Sequence, residues 1–260
     1  LMLDLSLFAD VIIGDYNYLF DSGAYLHRFF DEDCSDALLL IDEAHELPDR
    51  IRAMYSPELS AETFRKNAVG RKRTKLGKIL SRIADEIREL SEPCGTEAEG
   101  AVKNIVPAFP DTLIRDMEQF RELYMETEGE ENTHTALTLI APEPEFRKQK
   151  GSDSRAGELN RLFLDTIKFL RIYDISDDAH FRYSASLNYP DARTEPAEGK
   201  AEHMLKLHCI DPAGIADERT GSAAGTVYFS GSLLPAAYFR PLLSESEQPY
   251  FVFPSPFPPE

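Results

Sequence analysis

Residues 38–45 read Leu-Leu-Leu-Ile-Asp-Glu-Ala-His, an aliphatic run stopped by two carboxylates. Such a run suits a strand buried on both faces of a parallel sheet that is covered by helices. Charge at its carboxyl end then falls where open α/β sheets bind ligands. A second short run, Ala9 to Ile13, ends at Gly14 and also predicts a buried strand. Helical spacing follows each run: Leu26, Phe29 and Phe30 after the first, Leu47, Ile51 and Met54 after the second. Strand, helix, strand, helix over so short a stretch predicts a parallel α/β unit.

Asp42, Glu43 and His45 are the candidate chemical groups. In a nucleotide hydrolase, Asp42 would hold Mg²⁺ through water, because that ion takes few ligands directly from protein. Glu43 would orient or deprotonate the attacking water. His45 would link the nucleotide site to a neighbouring motif. The plainer alternative is that Asp-Glu ends a strand and starts a helix, where acidic side chains complement the dipole.

Charge and composition narrow the field. The 260 residues carry 42% hydrophobic and 28% charged side chains, an ordinary globular balance. No apolar run approaches the roughly 20 residues of a membrane span, so no membrane partner is expected. Three cysteines, Cys34, Cys94 and Cys209, are widely separated. Neither a disulfide framework nor a cysteine-only metal site is expected from them, and a cytoplasmic setting fits. The net charge of −18 is a poor match to unaided nucleic-acid binding, which rests on Lys and Arg. Even so, residues 65–82 concentrate basic side chains, among them Arg71, Lys72, Arg73, Lys75 and Lys78. That run is either a solvated helix face or a surface that meets DNA. Both chain ends are expected to be cuts through a longer protein.

The pattern changes after Ser56. Charged amphipathic helices are expected over 60–92, 112–128 and 159–173, with a linker to Pro110 and an acidic loop from Gly129 to Thr135. Alternating runs then return at Phe181 to Leu187 and Met204 to Ile210. An apolar run, Gly225 to Phe229, is interrupted by Ser230-Gly231-Ser232, and a short helix and a last strand (Tyr250 to Phe253) follow. The expected organisation is an α/β domain over 1–56, an all-α insertion over 57–176, and a return to the α/β domain over 177–260.

Several of these segments together resemble the XPD/DinG-type DNA helicases of superfamily 2. They are Ala9-Asp-Val-Ile-Ile-Gly-Asp-Tyr-Asn-Tyr-Leu-Phe-Asp21, Leu39-Leu-Ile-Asp-Glu-Ala-His-Glu-Leu-Pro-Asp-Arg50, Val227-Tyr-Phe-Ser-Gly-Ser-Leu-Leu-Pro235 and Ser255-Pro-Phe-Pro-Pro-Glu260. They occur in the family's order around an insertion of the family's kind. The resemblance implies a partial RecA-like motor domain interrupted by an arch insertion. It also implies a DNA helicase of DNA-repair type that moves 5′ to 3′ and is driven by ATP and Mg²⁺, with single-stranded DNA and repair proteins on the arch as partners. On this basis Asp42 holds the metal, Glu43 activates water, and Ser230, Gly231 and Ser232 form motif III, reaching toward His45. Asp15, Tyr16 and Asn17 could face DNA, the ring stacking on a base and the amide meeting phosphate. A packed tyrosine beside a capping Asn would explain the same residues.

This sequence departs from the family pattern in four ways, one being that the second motor domain, with its arginine finger, is not in it. No Gly-x-x-x-x-Gly-Lys-Ser/Thr loop occurs in the 260 residues, motif III ends in Ser232 rather than Thr, and the four cysteines of the family's iron–sulfur cluster are not in this chain. The chain by itself is therefore expected to be inactive. The alternatives are a non-catalytic module that uses its insertion to hold single-stranded DNA or a partner, and a Mg²⁺-dependent hydrolase of another class.

Overall fold

The computed structural model describes residues 8–21, 36–92, 102–106, 108–139, 155–188 and 202–254. The chain divides into two compact units. The larger comprises Leu1–Tyr25 and Arg52–Ile210, and the smaller Leu26–Ile51 and Asp211–Glu260. No helix among the described residues is long and apolar enough to cross a membrane.

The larger unit packs helices against an antiparallel sheet. Its helices are α1 (Asn17–Phe20), α3 (Ala61–Ala68), α4 (Lys75–Ser91), α5 (Asp111–Leu139) and α6 (Arg155–Ile175). Its strands are β2 (Glu58–Ser60), β3 (Val102–Val106), β4 (Phe181–Asn188) and β5 (Glu202–Cys209), in the order β2-β5-β4-β3. The region between the two α/β segments is therefore not all-helical, as its sequence suggested. β2 and β3 are too short to show a period of two among charged neighbours. β4 and β5, expected to lie with the motor domain, pair with them instead. The expected helix over 60–92 is broken between α3 and α4. Conversely, α5 continues through Gly129, where an acidic loop was expected. One glycine costs a helix only about 1 kcal/mol.

Register explains the sheet's two faces. Phe181 lies opposite Cys209, Tyr183 opposite Leu207 and Ala185 opposite Leu205, and all six are buried. The other face is polar: Ser184 Oγ lies 2.8 Å from His208 Nε2. Ile79, Leu80, Ile83, Ala84 and Ile87 recur at helical spacing and bury one side of α4, which packs on β4 and β5. Between helices, Phe120 is fully buried and meets Phe64, Tyr124 and Phe163 edge-on, with centroids 6.1–6.3 Å apart. Tyr124 stacks on Phe163 at 4.0 Å and donates its hydroxyl proton to Asn160 Oδ1.

Arg82 of α4 grips the buried Asp116 of α5 with two N–H groups. Burial, followed by the charge of Asp116, raises the Glu86 carboxyl above its ordinary value of 4.5. Its Oε2 is buried without a hydrogen-bond partner among the described residues. The folded state therefore holds this proton to higher pH than the unfolded chain does. The stability that Glu86 contributes is complete below 4.5 and is lost as pH rises through the raised value. Glu86→Gln is expected to remove that fall and to stabilise the protein at neutral pH. Urea midpoints at pH 4 and pH 7 check this; an unaltered difference between them counts against it.

The smaller unit contains β1 (Leu38–Ile41) and β6 (Gly225–Tyr228), paired in parallel from Leu38↔Gly225 to Ile41↔Tyr228. α2 (Leu47–Met54) follows β1, and α7 (Ala213–Thr220) and α8 (Ala236–Leu243) flank β6 in sequence. Ile41, Ala44, Leu47 and Ile51 are buried. This parallel pair with its helices is the α/β class expected of a partial RecA-like domain. Two expectations fail in detail. Leu38 and Leu40 are 73% and 70% exposed, so β1 is not buried on both faces. Among the described residues its ladder has one neighbour, and nothing covers the face that Leu38 and Leu40 share. Residues 9–13 and 250–253 form no strand. Val11 and Ile13 are exposed, as are Phe251 and Phe253. The expected helix from Ser22 to Phe30, the linker before Pro110 and residues 255–260 lie outside or largely outside the described residues.

Candidate functional site

Backbone pairing continues beyond the end of the parallel ladder. Phe229 N–H donates to the Ile41 carbonyl at 3.0 Å, and Ala44 N–H to the Phe229 carbonyl at 3.1 Å. Residues 229–230 are thereby drawn alongside the turn at 42–45. The turn itself is tight. Asp42 Oδ1 accepts the Glu43 N–H at 2.7 Å, and the Glu43 carbonyl accepts from Glu46 N–H at 2.9 Å. Glu43 has φ 47, a left-handed conformation that L residues other than glycine rarely adopt. Such strain persists where surrounding bonds hold it, and it clusters at functional sites.

Those bonds come from the Ser230-Gly231-Ser232 segment. Ser230 Oγ donates to Glu43 Oε2 at 3.1 Å and lies 2.9 Å from His45 Nδ1. His45 Nδ1 is also 3.1 Å from Glu43 Oε2. Ser232 N–H donates to Ser230 Oγ at 3.1 Å, with the two hydroxyls 3.3 Å apart. Ser230 has a single proton, directed to Glu43. Both the hydroxyl oxygen and the carboxylate then call for the histidine tautomer with its proton on Nδ1. Glu43, His45, Ser230 and Ser232 thus form one connected set, with the carboxylate 60% exposed. Gly231 makes no steric demand, since nothing lies within 4 Å of where its Cβ would stand.

Asp42 is exposed beside this set. No group of three or more His, Cys, Asp or Glu residues suited to a metal occurs among the described residues. The donor set present is one or two exposed carboxylates, which fits Mg²⁺ held largely by water and does not fit an all-protein cage. An iron–sulfur cluster has no fit here: the chain has three cysteines, and Cys209, the described one, is buried in β5.

The remaining predicted site residues belong to the larger unit. Asp15 acts locally ahead of α1, its Oδ1 accepting the Asn17 N–H two residues on at 3.0 Å. The Tyr16 ring meets the buried Phe20 edge-on at 6.5 Å. Arg71, Lys72, Arg73 and Lys75 lie in the turn between α3 and α4 and at the start of α4. Sequence reasoning missed the Phe229 carbonyl, which ties the two motifs together through backbone that carries no residue signal. It also missed the left-handed Glu43, since glutamate is not a residue from which positive φ is expected.

Residues 2–64, which contain the DEAH box, match the DEAD_2 family model. The match spans residues 9–21 as well as the DEAH box and does not extend to residues 230–232. A solved structure titled XPD_Helicase is similar at 17% identity with a TM-score of 0.46, over 93% of this chain and 35% of that one. The chain thus spans about a third of the length of that structure. No curated protein matches.

Proposed function

We propose that the chain is part of an ATP-dependent DNA helicase that couples ATP hydrolysis to movement, 5′ to 3′, along single-stranded DNA, in a DNA-repair role. The observation that carries the proposal is the Ser230 hydroxyl, bonded at once to Glu43 and His45. Asp42 is the residue that would hold Mg²⁺ through water, and the ion supplies charge stabilisation to the phosphates when bound. Glu43 orients the attacking water and can take up its proton. Oε2 of Glu43 is occupied by Ser230 and His45, while Oε1 carries no hydrogen bond among the described residues. Protonation of Glu43 weakens its hold on both partners, because hydrogen bonds to an ionised acceptor are the stronger ones. A change at the nucleotide thereby reaches motif III at residues 230–232. Asp15, Tyr16 and Asn17, together with Arg71, Lys72, Arg73 and Lys75, are the candidate strand contacts.

The test uses the whole protein that carries these residues. DNA-stimulated ATP hydrolysis is expected, and Asp42→Asn should lower its rate and raise the Mg²⁺ concentration it requires. Ser230→Ala removes a hydrogen bond to a charged group, worth about 1.5–3 kcal/mol. It should reduce the stimulation by DNA more than the basal rate. If the parent protein binds single-stranded DNA but shows no DNA-stimulated turnover, the non-catalytic binding module is the better account.

A further inference from the structure

Five cations crowd the start of α4 on a chain of net charge −18. Other basic residues nearby are held by acids: Arg65 by Asp85, Lys66 by Glu158 and Arg82 by Asp116. Lys72, Arg73, Lys75 and Lys78 are exposed and form no ion pair among the described residues. Like charges at such spacing repel one another, and an unrestrained loop would let them splay apart.

The turn that carries them is restrained at both ends. Gly70 takes φ 82, which glycine accommodates without strain. Arg71 N–H donates to the Ala68 carbonyl at 3.0 Å, and the Arg71 guanidinium to the Asn67 carbonyl at 3.3 Å. The Arg71 carbonyl accepts twice from Thr74, from its N–H at 2.8 Å and from its hydroxyl at 2.7 Å. Thr74 Oγ1 in turn caps α4 by accepting the Gly77 N–H at 3.0 Å. Gly77 is buried, and a Cβ there would collide with the carbonyl carbon and oxygen of Arg71 and with its Cβ. The backbone of Arg71 therefore rests directly on the first turn of α4, at a distance that only glycine permits.

We propose that Gly77 and Thr74 are positioning residues, which hold Lys72, Arg73, Lys75 and Lys78 as a preformed contact for the phosphodiester backbone of single-stranded DNA. This rests on the strand-binding role proposed above for the basic turn. Preorganisation lowers the ordering cost of binding, which otherwise falls on each long side chain immobilised.

The experiment measures binding of a fluorescein-labelled oligothymidylate by anisotropy between 50 and 200 mM salt, a range over which each phosphate contact to a single strand contributes about 0.7 to the slope of log affinity against log salt. Lys72→Glu with Arg73→Glu should weaken binding and flatten that slope by about 1.4. Thr74→Val and Gly77→Ala leave every charge in place. Each should weaken binding about five- to tenfold, the scale of one or two side chains left to be ordered on binding. Thr74→Ser, which keeps the hydroxyl, should bind as the parent does. Unchanged binding by the charge-reversed protein would remove the basic turn from the strand-binding role, and the positioning role with it. If charge reversal weakens binding while Thr74→Val and Gly77→Ala bind normally, the positioning role alone is overturned. Should Gly77→Ala fail to fold by circular dichroism, Thr74→Val decides, because it introduces no collision.

Discussion

Glu43→Gln is expected to lower ATP turnover by the whole protein about 10²–10⁴-fold, the usual contribution of a positioned general base. Nucleotide binding and folding should be almost unaffected. The amide keeps an oxygen able to accept from Ser230, and the backbone at residue 43 need not move. Glu43→Gly provides the contrast. It relieves a left-handed backbone, which costs an L residue roughly 1–2 kcal/mol, yet it removes the carboxylate. Glu43→Gly should be as inactive as Glu43→Gln without keeping the hydrogen bond to Ser230. Turnover within a few fold of the parent in the Gln variant would exclude Glu43 from the reaction and leave the turn as mere connection.

The largest expected stability loss lies elsewhere, in the larger unit. Phe120 is fully buried, and its ring edges or faces meet Phe64, Tyr124 and Phe163. Three elements, α3, α5 and α6, supply those rings and are fixed by their own packing, so the site cannot easily collapse around a smaller residue. Phe120→Ala should therefore cost about 3–5 kcal/mol, equivalent to a melting temperature lower by roughly 10 °C in a body of this size. Denaturant unfolding gives the value directly. A loss below about 1 kcal/mol would mean that the aromatic cluster repacks, contrary to the close packing of protein interiors.

Which parts of the chain were legible beforehand depends on how local their physics is. The long helices α4, α5 and α6 could be read because apolar residues repeat at three and four positions over many turns. The approach of Ser230 to His45 was implied by the family resemblance, and the parallel pairing of β1 with β6 brings the ends of the two apolar runs together. β2 and β3 could not be read, since strands of three and five residues offer too few positions for alternation, and their place is set by pairing with β5 and β4. Leu38 and Leu40 misled for a related reason. An aliphatic strand records the environment it suits, and the described residues cover one face of it only. Gly77 was invisible for another reason. In sequence it is a helix interrupter near a basic run, and its purpose emerges only when the Arg71 backbone is seen lying against it.

The bond between Ser230 and His45 joins residues 185 positions apart. Closing a loop of that length from an unfolded chain is entropically costly, and contacts of such separation form slowly. The contact is therefore expected to form late in folding, which φ-value analysis of Ser230→Ala would check. The site is in this sense a report on long-range closure, made by residues far apart in sequence and within hydrogen-bond reach in space.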